Sequence, residues 1–207
     1  MSAPVPLRRR IDAIVIGASA GGVEALSVLL PALPARLQAS VYIVLHLLSE
    51  RPSLLAEIFT RRCTLPVREA QDKEAPGPGT VYFAPPDYHL LIEQGPSLAL
   101  SVDPAVHFSR PSIDVLFESA ADVYRERLLG IILTGANEDG AAGLQTVQRA
   151  GGLTIVQQPD TAQVPFMILS ALKRSQPDFV LSLGQIAAVL HSLADADAAP
   201  AQAPPRG

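Results

Sequence analysis

Three polar residues stand where an apolar framework gives them little structural excuse, and their types point to nucleophilic chemistry. Ser19 lies in Gly17-Ala18-Ser19-Ala20-Gly21-Gly22, directly after the apolar run Ala13-Ile14-Val15-Ile16. Val23-Glu24-Ala25-Leu26 follows and continues a helical pattern to about Leu30. A strand, a turn of tiny residues and a helix start, with the spacing Gly17-x-Ser19-x-Gly21, are the parts of a nucleophile elbow. On this stretch alone a phosphate cradle, or a tight turn without chemistry, explains the glycines at least as well. His46 closes a second apolar run, Ser40–Leu45, and Asp139 falls in the loop after Leu128–Leu133. A serine hydroxyl is a poor nucleophile until a base takes its proton. His46 is the natural base, and a carboxylate behind it, Asp139, would fix the imidazole tautomer and stabilise its cation. Glu138 is an alternative acid next door, and Asp139 could instead cap a helix beginning at Ala141. The backbone N–H groups of Ala20 and Gly21, at the helix start, are candidate donors to an oxyanion beside Ser19.

The other titratable residues read as structural. His89 alternates with apolar neighbours after a turn, His107 is a weaker competitor as base, and His191 is peripheral. Cys63 reads as inert packing, and Arg110 shapes the site, meets substrate carboxylates or makes a purely structural pairing. No His/Cys/Asp/Glu grouping has metal-site spacing, so neither metal nor cofactor is expected.

These residues must be positioned by a framework that alternates strand and helix. Apolar runs at Ala13–Ile16, Ser40–Leu45, Leu128–Leu133, Gly152–Gln157 and Phe179–Leu183 alternate with helical spacing at Val23–Leu30, Pro52–Arg62, Ser112–Arg125, Ala141–Arg149, Val164–Arg174 and Gly184–Leu193. That alternation predicts an α/β, doubly wound, mostly parallel sheet with helices on both faces, a Rossmann-like three-layer arrangement. Between Val67 and Val102 the period shortens. Val67–Ala70, Val81–Pro85, His89–Glu93 and Leu98–Val102 read as short strands of an antiparallel hairpin excursion, punctuated by Pro76-Gly77-Pro78-Gly79 and Gln94-Gly95-Pro96. In such a sheet functional residues collect beyond the carboxyl ends of the strands, where Ser19, His46 and Asp139 all fall. Adjacent strands lie about 4.8 Å apart, so side chains leaving neighbouring strand ends can meet.

Composition narrows the function classes. The 207 residues suffice for one sizeable core, and 48% hydrophobic with 17% charged residues suits a doubly covered sheet. A net charge of −4 argues against a general nucleic-acid binder. No run reaches the roughly 18 apolar residues of a membrane span. The single cysteine permits no disulfide framework, and the start lacks the apolar core of a signal peptide, so a cytoplasmic location is expected. Residues 1–10 read as a flexible arm, 11–194 as one catalytic domain and the Ala/Pro-rich 195–207 as a disordered tail.

Several motifs in order resemble one family. Gly17–Gly22 after a strand, His46 after Ile43-Val44-Leu45, Ala84–Leu90, Arg110–Phe117 and Leu133–Leu144 resemble the catalytic domain of the CheB-type chemotaxis protein-glutamate methylesterases, over about Asp12 to Leu190. The resemblance implies a serine esterase that hydrolyses glutamate methyl esters on the cytoplasmic helices of methyl-accepting chemoreceptors, and that can deamidate glutamines. It places the family's serine, histidine and aspartate on Ser19, His46 and Asp139. The order Ser…His…Asp also differs from that of α/β-hydrolases.

The chain departs from the family's pattern at identifiable places. Leu45 stands where Gln is usual before the histidine, and Leu47-Leu48 where Met-Pro follows it. Gly135-Ala136-Asn137 replaces Gly-Met-Gly, Ala20 replaces Thr, and Pro165-Phe166-Met167-Ile168 replaces the later Gly-Met-Pro. The family commonly carries an N-terminal phosphorylatable receiver domain, which the residues before Ile11 cannot supply. Control in trans by a separate receiver-domain protein, unregulated action, or a chain that is a fragment are the readings this leaves. The alternatives to an esterase are a scaffold domain whose site has drifted, motivated by Leu47 and Ala136, and a nucleotide binder using Gly17–Gly22.

Overall fold

The computed structural model describes residues 9–46 and 54–196. Leu47 and Leu48, Pro52 at the head of the expected second helix, the first eight residues and 197–207 therefore lie outside the described residues. Seven parallel strands form one sheet: β1 (Ala13–Ala18), β2 (Ser40–Leu45), β3 (Val67–Glu69), β4 (Val81–Phe83), then, beyond a separate hairpin, β7 (Leu128–Ile132), β8 (Leu153–Gln157) and β9 (Phe179–Leu181). Their spatial order is β3-β4-β2-β1-β7-β8-β9. The hairpin pairs β5 (His89–Glu93) with β6 (Ser97–Ser101) antiparallel. The antiparallel excursion is thus smaller than the sequence pattern suggests, because Val67–Glu69 and Val81–Phe83 join the parallel sheet. Val81-Tyr82-Phe83 is wholly buried with no polar alternation, which is how a strand covered on both faces reads.

Helices α1 (Gly22–Leu29), α2 (Leu55–Thr60) and α6 (Leu183–Ala196) cover one face. Helices α3 (Ile113–Tyr124), α4 (Ala141–Arg149) and α5 (Phe166–Arg174) cover the other with the hairpin. Alternation along β1 divides the two cores: Ile14 and Ile16 face α1 and α6, while Ala13 and Val15 face α3. Burying each large aliphatic side chain of β1 contributes about 1.5–3 kcal/mol, so the strand leading to Ser19 is firmly anchored. Helix α5 begins at Phe166 rather than Val164. Pro165 is its N-cap, and the Val164 carbonyl instead accepts from Gly135 N–H at 2.9 Å. Helix α6 runs one residue earlier and three later than its apolar spacing indicates.

Strand order reverses at β1, since β2 and β4 build outward on one side and β7, β8 and β9 on the other. A crevice opens at such a switch point beyond the carboxyl ends. Strands β1, β2 and β7 all have their carboxyl ends there.

Candidate active site

The turn after β1 is made by Gly21, not by strain at Ser19. Gly21 has φ +80°, whereas Ser19 is not among the described non-glycine residues with positive φ. The sequence pattern assigns the tight turn to the glycines flanking Ser19, and Gly21 is the one that makes it. Gly17 also serves a different purpose from turning the chain. A Cβ there would run into Ile113 Cγ2, so the missing side chain lets the first turn of α3 sit directly on β1. Ser19 N–H donates to Thr134 O at 2.9 Å, and Gly22 N–H donates to Ser19 O at 2.8 Å. The Thr134 hydroxyl donates to Ala20 O at 2.8 Å, clipping the serine turn to the loop after β7. The Ser19 backbone is thereby tied down rather than presented as a phosphate cradle. Ser19 remains partly exposed and Ala20 exposed; among the described residues neither the Ser19 hydroxyl nor the N–H groups of Ala20 and Gly21 make a hydrogen bond.

His46 follows the register pair Ala18–Leu45, one step beyond β2, just as Ser19 follows β1. Its N–H donates to Ala18 O at 3.0 Å, which continues the β1–β2 ladder to this point. The ring is held from behind: Nε2 lies 2.9 Å from Asp139 Oδ2. Asp139 is fully buried and accepts three further bonds. Ser112 Oγ donates to Oδ1 at 2.8 Å, Asp114 N–H to Oδ1 at 3.0 Å and Ile113 N–H to Oδ2 at 2.6 Å. Burial alone would raise its pKa, but the His46 bond and the Asp114 and Ile113 amides outweigh that and hold it below the usual carboxylate range. Hydrogen bonds to a charged group contribute about 1.5–3 kcal/mol each, against roughly 0.3–1 for a helix terminus as a dipole. The specific donors, not the macrodipole, keep this carboxylate ionised.

Asp139 therefore does not cap α4, the helix that follows it. It caps α3, and Asp114 of α3 returns the favour: its Oδ1 accepts from Gly140 N–H at 2.9 Å and Gly143 N–H at 2.6 Å at the head of α4. Each helix start is satisfied by a carboxylate from the other. Burial, with the nearby Asp139 charge, pushes the Asp114 carboxyl up to about 6. A raised folded pKa means this group favours the fold when protonated, so its contribution falls as pH rises from about 4 to 6. Asp114→Asn keeps the accepting oxygen and removes the charge. Urea midpoints should show the variant gaining up to about 3 kcal/mol over wild type between pH 4 and pH 8. A pH slope unchanged from wild type would contradict this assignment.

Among the sequence candidates, the structure joins His46 to Asp139 and sets Ser19 at the neighbouring strand end; no hydrogen bond links Ser19 Oγ to the ring among the described residues. Glu138 turns outward to His107, 3.3 Å from Nδ1, and does not reach His46. His107 lies between Glu138 and Asp114, and His89 is buried, its Nδ1 accepting from Ser112 N–H at 3.1 Å. His191 sits outside the site on α6, its Nδ1 3.3 Å from Ala32 O, and Cys63 donates to Leu30 O. Arg110 uses Nη1 to hold Val102 O and Asp103 O at 3.0 and 3.2 Å, while its buried Nε has no partner. With His46, Asp87, Phe108 and Ser109 it lines a hollow of about 260 Å³. A second groove, of about 600 Å³, runs from His107 and Glu138 to Phe166, Leu169 and Lys173.

Sequence reasoning passed over Ser112 and Asn137. Ser112 is the N-cap of α3, a role that Ser-x-x ahead of an apolar helix signals, but its second bond to Asp139 depends on a tertiary contact. Asn137 stood out only as a departure from the family. It places Nδ2 3.4 Å from His46 Nδ1 and donates to Ser109 Oγ at 3.1 Å.

Fold and site together describe a doubly wound α/β domain with a hydroxyl, an imidazole and an ionised carboxylate gathered at its switch point. The sequence model of the CheB methylesterase family matches residues 14–190. The chain belongs to the CheB methylesterase family. A Leptospira interrogans protein whose name assigns it to protein-glutamate methylesterase/protein-glutamine glutaminase is 47% identical over 176 residues, covering 85% of this chain and 91% of that one. The protein-glutamate methylesterase/protein-glutamine glutaminase of Symbiobacterium thermophilum is 40% identical over 192 residues, of which this chain spans half the length. The crystal structure of the Thermotoga maritima CheB methylesterase catalytic domain superposes with a TM-score of 0.85 at 31% identity, over 89% of this chain and all of that one.

Proposed function

We propose that the protein is a serine esterase that demethylates glutamate methyl esters on chemoreceptor cytoplasmic helices, with Ser19, His46 and Asp139 as its triad. The observation that carries this reading is the buried, four-fold bonded carboxylate of Asp139 behind the imidazole of His46, which stands at the strand end next to that of Ser19. Because Nε2 is committed to an ionised acceptor, it carries the ring proton and Nδ1 keeps the lone pair. Nδ1 takes the Ser19 Oγ proton as Oγ bonds to the ester carbonyl carbon. The imidazolium, stabilised by Asp139, returns that proton to the departing methoxide, which leaves as methanol. Water then attacks the acyl-serine as His46 takes a proton from it. The imidazolium returns that proton to Ser19 Oγ as the C–Oγ bond breaks, releasing the glutamate side chain, which ionises in solvent. The same acyl-enzyme forms from a glutamine with ammonia as leaving group, so glutaminase activity belongs to the same proposal. The Ala20 and Gly21 N–H groups serve as oxyanion donors, each such donor contributing about 2.7–4 kcal/mol where it is well placed.

A cytoplasmic site of action and control in trans by a separate receiver-domain protein are parts of this reading. No described helix is long and apolar enough to cross a membrane. The scaffold alternative has no observation in its favour, since the buried pairing of His46 with Asp139 is intact. Arg110 lines the hollow beside His46, and its role in this reading is to meet a substrate oxygen there. Arg110→Met should raise KM by about tenfold while kcat changes little, as expected for one lost ground-state contact. The test of the function itself is methanol release from methylated receptor helices: release that saturates with helix concentration is expected, and release no faster than the uncatalysed rate refutes the proposal.

A further inference from the structure

We infer that Asn137 is a positioning residue for His46, its side-chain amide holding the imidazole by the nitrogen that must act as base. Three observations lead there. The Asp139 N–H donates to Asn137 Oδ1 at 3.3 Å, and because a backbone N–H cannot accept, that bond orients the amide. The amide NH2 group is therefore the end that faces His46 Nδ1, at 3.4 Å. Asp139, with four donors on two oxygens, is an acceptor only, so Nε2 carries its hydrogen and Nδ1 receives the amide's. The chain has a donor at this point where the related pattern Gly-Met-Gly offers no side chain.

The consequence rests on the proposed mechanism. Asn137 and Ser19 share one lone pair, and a bond as long as 3.4 Å aligns the ring without locking it. Once Nδ1 takes the serine proton it faces the amide donor with a donor, so the amide must turn away. Ser109 Oγ, 3.1 Å from the same nitrogen of Asn137, gives it somewhere to stay. Asn137 thus holds Nδ1 as an acceptor in the resting ring, and the reaction must displace it. The other groups on the ring's surroundings are Asp139 behind it, Ser19 at the next strand end, and Asp87 and Arg110 across the hollow.

Nitrogen-15 NMR of the imidazole in the substrate-free protein tests this directly, beside pH profiles of kcat/KM. Wild type should show the Nε2–H tautomer. Asn137→Asp replaces a donor by a negatively charged acceptor and should move both the imidazole titration and the acid limb of the profile up by about one pH unit. Asn137→Gly removes the donor without adding charge, and should move both in the same direction by less, with a native amide spectrum. A wild-type Nδ1–H tautomer, or a titration identical in wild type and Asn137→Asp, overturns the inference. Because the NMR titration needs no substrate, it can fail while wild type still releases methanol, and hold if wild type does not.

Discussion

Ser19→Ala is expected to fold like wild type and release methanol at no more than background rate. The hydroxyl makes no hydrogen bond among the described residues, and the two backbone bonds that fix the turn survive the substitution. Its effect on stability should stay within about 0.5 kcal/mol, the usual range for a partly exposed position without special partners. The rate is another matter. Where a serine and a histidine act as a unit, deleting the nucleophile costs on the order of 10⁶-fold in kcat. Denaturant midpoints and methanol-release kinetics on one preparation separate the two effects. An unfolded variant would mean that Ser19 has a structural role that its lack of partners does not suggest.

Asp139→Asn carries the second-largest effect, and it damages rate and stability together. Four donors converge on the two carboxylate oxygens, and an amide offers one oxygen and one NH2. With the NH2 in the Oδ2 position, it meets the Ile113 N–H as donor against donor, and His46 Nε2 must become the acceptor. The ring then carries its hydrogen on Nδ1 and cannot take the serine proton. A loss of about 10⁴-fold in kcat is expected, the size seen when an orienting carboxylate is replaced in this way. An unsatisfied buried N–H adds a cost of about 1–3 kcal/mol, readable as a lower urea midpoint with unchanged slope. Since the folded pKa of Asp139 is depressed, its stabilisation is present above the ordinary carboxylate range and is lost as pH falls through it. The wild-type advantage over Asp139→Asn should accordingly shrink in acid. A variant with full activity would remove Asp139 from the chemistry and leave it only the capping of α3.

What sequence could foretell here was set by periodicity and by strand ends. Apolar runs located β1, β2, β7 and β8 closely because strands buried on both faces carry no polar alternation to blur them. The rule that functional groups lie beyond carboxyl ends then selected His46 and Asp139, which the structure joins at 2.9 Å. What stayed hidden was set by tertiary contact. Nothing local shows that Asp139 caps a helix starting 26 residues earlier, or that Gly17 is small to admit Ile113. The local pattern pointed instead to a cap on α4 and to Gly17 as part of the turn, both reasonable by propensity and both overridden by the packing of α3 on β1. Val164 continued an apolar spacing yet lies outside α5, because its carbonyl is needed by Gly135 beside the site. Asn137 could be seen in the sequence only as a difference; its meaning required the position of His46.

The claim on which the rest depends is that the Ser19 hydroxyl is activated by the neutral His46 ring. Labelling with a fluorophosphonate ester, followed by peptide mass spectrometry, tests it most directly. A single adduct on Ser19 in wild type is expected, with none on Ser19→Ala and a rate slowed by orders of magnitude in His46→Gln. An adduct on a different serine, or labelling of Ser19 at an equal rate when His46 is replaced, would contradict the account.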